Sequence, residues 1–174
     1  MNRLQAILIL ISHQSAGDPL FCRAKLEGLL FFAEHHHRSL HGETLTGEDF
    51  LAGDRGPVCR TLEQKLDALL ASQELTASVT NFHEMTVTRF DAPEASARRA
   101  EALLEERAKK TISRIVASYA GDDAKTINHF AQQFPPWEAT AFGEAIPWPS
   151  DRLVPGELPD HMKHELEELA KAQQ

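Results

Sequence analysis

The sequence predicts a mainly α fold of α+β type: a compact helical domain around a central buried helix, with one small β-hairpin and a C-terminal strap and helix. Three observations carry that reading. Between Lys25 and Ala33 the apolar residues Leu26, Leu29, Leu30, Phe31, Phe32 and Ala33 exceed what one stripe needs, so this helix requires neighbours on several sides. Across residues 75–90, Leu75, Ala77, Val79 and then Met85, Val87 alternate with Thr76, Ser78, Thr80 and Thr86, Thr88, which is the period of a strand. Beyond residue 92, Ala100, Leu103, Leu104, Ala108, Ile112, Ile115 and Tyr119 return to helical spacing.

In chain order, Leu4, Ile7, Leu8 and Ile11 share one face of a helix over about residues 3–14. LQAILILIS behind Arg3 also has features of a secretory leader, but the run is short and Gln5 interrupts it. A first core helix is the better reading. Asp18-Pro19 reads as an N-cap and a first-position proline, opening the central helix. That helix is expected to run to His41, with Gly42 just past its end. Thr46-Gly47-Glu48-Asp49 is turn-rich, and Phe50-Leu51 anchors a short segment. Gly56-Pro57 is then expected to open a helix over about 57–73, with Pro57 where a missing N–H costs nothing. Val58, Leu62, Leu66 and Leu69 form its packing face, so Leu26, Leu29, Leu30, Phe32 and Leu66 should be buried together.

Asn81 to Glu84 turns the hairpin, which at this length must pack on the helices. Asp91 with Glu94 resembles a capping box, with Pro93 in the first turn, for one long helix over about 92–120. Its Glu101, Glu105, Glu106, Arg107, Lys109 and Lys110 read as a solvated face. Gly121 ends it, and Asp122-Asp123 caps a shorter helix with Ile127, Phe130, Ala131 and Phe134, stopped by Pro135-Pro136. Residues 135–159 are too apolar for a free linker and should lie over the core as an ordered strap. A last helix over about 159–172 carries Met162, Leu166 and Leu169 on one side.

The 174 residues suffice for one well-buried core, and 42% hydrophobic with 25% charged residues is ordinary for a globular protein. A net charge of −8, with no positive run longer than Arg98-Arg99 or Lys109-Lys110, argues against nucleic acid as a partner. No stretch approaches the roughly 18 apolar residues of a membrane span, so the expected location is the cytoplasm and no membrane partner is expected. Cys22 and Cys59 sit among apolar neighbours on expected helices and read as reduced, buried core thiols.

The pieces together resemble the Panacea domain of the SocA-like antitoxin family of bacteria and phages. The residues that carry the resemblance are Lys25 to Ala33 with Lys25, Leu26, Leu29 and Leu30; Gly56, Pro57 and Val58 about thirty residues on; Trp137; and Gly143-Glu144-Ala145-Ile146-Pro147. They stand in the family's order and span roughly residues 4–155. A domain over 1–155 and a charged helix over 156–174 follow. Arg55 stands where the family commonly has an aromatic residue, and Cys59-Arg60 replaces its usual continuation. The resemblance implies a structural role for Lys25, Leu26, Leu29, Leu30, Gly56, Pro57, Val58, Trp137, Gly143, Ile146 and Pro147. It further implies a non-enzymatic antitoxin that binds a toxin protein encoded nearby. One version within the family delivers the toxin to a protease as an adaptor.

Glu34, His35, His36, His37 and His41 include an i, i+4 histidine pair and a carboxylate, a spacing that can bind a divalent metal. A further inward ligand lacks a motif, there is no His-Glu-x-x-His, and the solvated polar end of a helix is the plainer reading. A metal-dependent hydrolase using this cluster and a transcriptional regulator remain the rival functions. No phosphate-binding glycine loop or nucleophile with an activating base is visible, and no cofactor is expected. Contact candidates are Arg55, Phe142 and Trp148, because interfaces concentrate their energy in aromatics and arginines. Trp137 reads instead as a pin between strap and core.

Overall fold

The computed structural model describes residues 1–82 and 85–148. Its axis is α2 (Arg23–His41), on which α1 (Arg3–Gln14), α5 (Glu106–Ser118) and α6 (Ala124–Gln132) all pack. Leu26, Leu29, Leu30, Phe32 and, from α3 (Leu62–Ala71), Leu66 are buried in one core, as expected. Gly28 permits the close approach of α6: a Cβ there would overlap the Cγ2 of Ile127. The helix ends at Gly42 in a left-handed conformation, φ 68°, whose N–H donates to the Arg38 carbonyl.

Four expectations need correction. First, α2 does not start at Asp18-Pro19; its N-cap is Cys22. Asp18 instead closes a turn by accepting the Leu20 N–H and pairs with Lys25 inside the fold. Secondly, α1 is enclosed on all sides, since Ala6, Ile9, Leu10 and Ser12 are buried along with Leu4, Ile7, Leu8 and Ile11. An Asn2–Gln5 capping box begins it.

Thirdly, Gly56-Pro57-Val58 opens no helix. Phe50–Gly53 (β1) and Gly56–Cys59 (β2) pair antiparallel, with Phe50 opposite Cys59 and Gly53 opposite Gly56. Gly56 has φ 141°, a conformation side chains rarely adopt. The helix begins only at Leu62. There are thus two small hairpins among the described residues, the second being β3 (Thr76–Phe82) with β4 (Met85–Asp91) where the alternation placed it.

Fourthly, the long helix is two: α4 (Glu94–Leu103) and α5, separated by extended backbone at Leu104 and Glu105. Leu104 turns into the core at the break, which lets both segments lie against α1. The capping box is absent; Pro93 is the N-cap, and the Asp91 carboxylate pairs with Arg89 instead. Asp123 does cap α6, accepting the Thr126 N–H.

A short helix α7 (Pro135–Glu138) follows, and the strap crosses to the first hairpin. Cys59 is buried and burial pushes its thiol pKa up to about 11, while Cys22 is half-buried; both are free thiols. No helix among the described residues is long and apolar enough to cross a membrane. The expected helix over 159–172 and the domain boundary at 155 lie outside the described residues.

Candidate partner-binding surface

The strap makes the first hairpin a three-stranded unit. Ala52 N–H donates to the Glu144 carbonyl at 2.9 Å, Gly143 N–H to Ala52 at 2.8 Å and Ile146 N–H to Phe50 at 2.8 Å. Phe50 and Ala52 therefore turn their backbone groups toward the strap, away from β2. Pro57, opposite Ala52, sits at a non-hydrogen-bonded pair, so its missing N–H removes no bond from the β1–β2 ladder. Ile146 is buried, and Gly143 holds φ 81° where the strap turns in; Pro147 stays exposed.

Two of the predicted contact residues lie on the segments that this pairing joins. Leu51 pairs with Ala145 in a single bridge; just before it the strap turns, the Glu144 N–H donating to the Ala141 carbonyl, and Phe142 lies in that turn. The Phe142 side chain is 79% exposed. Arg55 is almost fully exposed, and its 3.9 Å approach to Asp54 is too solvated to immobilise it. The tip is anchored from below, where Gln132 of α6 donates to the Arg55 carbonyl at 3.1 Å. An exposed arginine and an exposed phenylalanine thus stand on two segments tied together by hydrogen bonds.

Trp148 lies elsewhere. Its half-buried ring stacks on Phe31 and His35, meets Phe50 edge-on, and is capped by the Arg38 guanidinium at 4.8 Å. The expectation of an exposed contact does not describe this ring, which clasps the strap to the core. Trp137 packs against the core as expected.

The polar end of α2 is the largest departure from the sequence reading: Glu34, His35, His36 and His37 are all buried. The Glu34 carboxylate accepts from the Thr44 hydroxyl, from both the N–H and the hydroxyl of Thr46, and from Arg38. Its acceptor capacity is spent on fixing the turn after α2, and little is left for a metal. Thr111 donates its hydroxyl to the Arg107 carbonyl, so it accepts from His37, which places the His37 proton on Nδ1. Burial, the largest cause, lowers the pKa of His35 to about 3 and of His36 and His37 to about 4, so all three are neutral. His35 serves as an aromatic ring against Phe31, Phe134 and Trp148. Among the described residues, no group of three His, Cys, Asp or Glu side chains could hold a metal ion.

Sequence reasoning missed the setting of Lys25. Its ammonium is buried, 2.6 Å from Asp18, and donates to the carbonyls of Tyr119 (2.7 Å) and Asp122 (2.6 Å). One side chain thereby ties the α1–α2 loop to the α5–α6 junction. The sequence signal was faint: apolar residues on several faces of α2 leave a lysine at its start on a face that can be covered, where its ammonium needs partners.

Neither a curated protein nor a solved structure matches the chain. A family model described as antitoxin SocA-like, Panacea domain, matches residues 26–138. The match takes in the α2 core motif, Gly56-Pro57-Val58 and Trp137, while Lys25 and Gly143 to Pro147 fall just outside it. The geometry gives those matched residues structural work, as helix core, hairpin turn and strap anchor, and the chain belongs to the SocA-like antitoxin family with its Panacea domain.

Proposed function

We propose that this protein is an antitoxin that neutralises a toxin encoded nearby by binding it directly, with the β1–β2 tip as part of the contact surface. The observation that supports this best is Phe142, the most exposed large hydrophobic side chain among the described residues, on a strap hydrogen-bonded to the hairpin whose tip carries the exposed Arg55. A rigid platform loses little entropy on docking, so its aromatic and arginine side chains can contribute fully. The net charge of −8 favours a toxin with a basic face and speeds encounter more than it sets affinity. Inhibition then follows from occlusion of the toxin's working surface, without a chemical step on the antitoxin.

The test is co-expression with the product of the neighbouring reading frame, followed by titration of the purified pair. Phe142→Ala should weaken binding roughly 30-fold, equivalent to about 2 kcal/mol, while helical circular dichroism stays constant. Arg55→Glu should weaken it more than Arg55→Ala, because reversal adds repulsion at the contact. Inhibition by purified antitoxin without any protease supports occlusion over delivery to a protease. A neighbouring product that is neither toxic nor bound removes the antitoxin reading, whereas binding that survives all three substitutions relocates the surface.

A further inference from the structure

The second hairpin offers a different surface, and the inference drawn from it does not depend on the toxin. β4 is the strand that rests on α1 and α2. Arg89 secures it by donating to the carbonyls of Asp18 and Ala16, and Phe90 is buried. Among the described residues β3 pairs only with β4, so there its other edge presents unpaired backbone groups. Thr76, Ala77, Ser78, Val79 and Asn81 are exposed, Val79 by 71%.

Edge strands are normally protected by lysine, proline, a bulge or an inward charge. The seven residues of β3, TASVTNF, contain no charge and no proline, and their register with β4 runs unbroken from Thr76 to Phe82. A charged strand docked here would find no counter-charge along its partner. An uncharged strand fits, and the chain's own β3 is one. Its middle residue is also its exposed hydrophobe. In an antiparallel pair centred on that residue, Val79 faces Val79 of the second copy, residue 77 faces 81 and residue 78 faces 80. The two-fold axis then buries the side chain that is most exposed in the single chain, with no like charges opposed.

We propose that β3 pairs with β3 of a second copy of this chain, joining the two hairpins into a four-stranded antiparallel sheet about a two-fold axis at Val79. A single seven-residue ribbon buries less than the roughly 1,200 Å² of a stable interface, so the dimer is weak, with a dissociation constant on the order of 100 µM.

Sedimentation equilibrium of the full chain, from about 5 µM to about 1 mM, should show a reversible monomer–dimer transition. Val79→Lys places like charges on the axis and should weaken it at least about fivefold. Val79→Thr keeps a β-branched residue and should stay within about threefold. In a Cys22→Ser background, Val79→Cys should form a disulfide-linked dimer under mild oxidation faster than Thr88→Cys on the inner strand. A wild-type chain that is monomeric at 1 mM overturns the proposal. So does a dimer that Val79→Lys leaves unchanged, because that dimer uses another face. A monomeric chain whose β3 amides become protected only on adding a toxin or other protein also overturns it, assigning the edge to that partner.

Discussion

The two hairpins are both antiparallel and two-stranded, but they are held in opposite ways. β1–β2 has four-residue strands containing Gly53, Gly56 and Pro57, a composition that disfavours strands. It exists because everything around it is filled: Phe50, Ala52 and Cys59 are buried, α2 and α6 pack on β2, and the strap covers β1. β3–β4 has seven-residue strands rich in threonine and valine, which favour the extended form, and one of its strands faces solvent. Local preference builds the peripheral hairpin, and tertiary packing builds the central one. The packed one carries the surface proposed for a toxin, and the peripheral one carries the edge proposed for a second copy.

The largest expected effect breaks the first hairpin. Phe50 meets Phe31 and Trp148 edge-on, at the point where β1, α2 and the strap converge. Phe50→Ala should cost about 3–5 kcal/mol in a denaturant titration, by lost burial and the cavity left behind. Loss of the Trp148 clasp should accompany it, visible as a change in tryptophan fluorescence before global unfolding. A cost below about 1 kcal/mol would mean that the hairpin does not depend on its packing.

Acid should act on the same region next. His35, His36 and His37 have pKa values lowered by burial to between about 3 and 4, and in the unfolded chain they titrate near the ordinary 6.5. Below pH 6.5 the unfolded state binds more protons, so their contribution is complete above that pH and is lost as pH falls. Each histidine adds up to about 1.4 kcal/mol per pH unit to the slope. The surface carboxylates of Glu74, Glu105, Glu106 and Asp123 have lowered pKa values and act only below about pH 4.5, so the window from 6.5 to 4.5 reports the histidines. His35→Phe should remove about one proton from that slope. If stability is flat between pH 7 and 5, these imidazoles are not held neutral.

The same division explains what could be read in the sequence. α1, the end of α2 at Gly42, the β3–β4 alternation and the Asp123 cap all follow from local signals, and all were legible. The β1–β2 hairpin was not, because Gly56-Pro57 followed by leucines at helical spacing looks locally like a helix start. Only the left-handed Gly56 and the strap's hydrogen bonds decide against it, and these are tertiary facts. The histidines of α2 read as solvated for a similar reason. The polar end is enclosed by other elements, with Thr44 and Thr46 bonding Glu34 and Thr111 bonding His37, which spacing along one helix cannot reveal. At the candidate surface, Arg55 and Phe142 stand out in the sequence only as residue types. That they stand on segments joined by hydrogen bonds follows from the strap meeting β1, and so does the packing of Trp148 against the core.

The smallest expected effect concerns the second hairpin, and its smallness is informative. At a few micromolar, where the proposed dimer is dissociated, Val79→Lys should change folding stability by no more than about 0.5 kcal/mol. The side chain is already 71% exposed, so little burial is lost, and a lysine there removes no contact with the helices. The strand's hold on the domain runs through β4, where Arg89 bonds to the α1–α2 loop and Phe90 is buried. Arg89→Ala, by contrast, strips donors from the Ser15, Ala16 and Asp18 carbonyls and removes a cation stacked over Phe21, so it should cost more than any change at Val79. Chemical denaturation of both variants at one low concentration makes the comparison. If Val79→Lys destabilises as much as Arg89→Ala, β3 is packed on the domain and has no free edge, and the contrast between the hairpins fails at its outer strand.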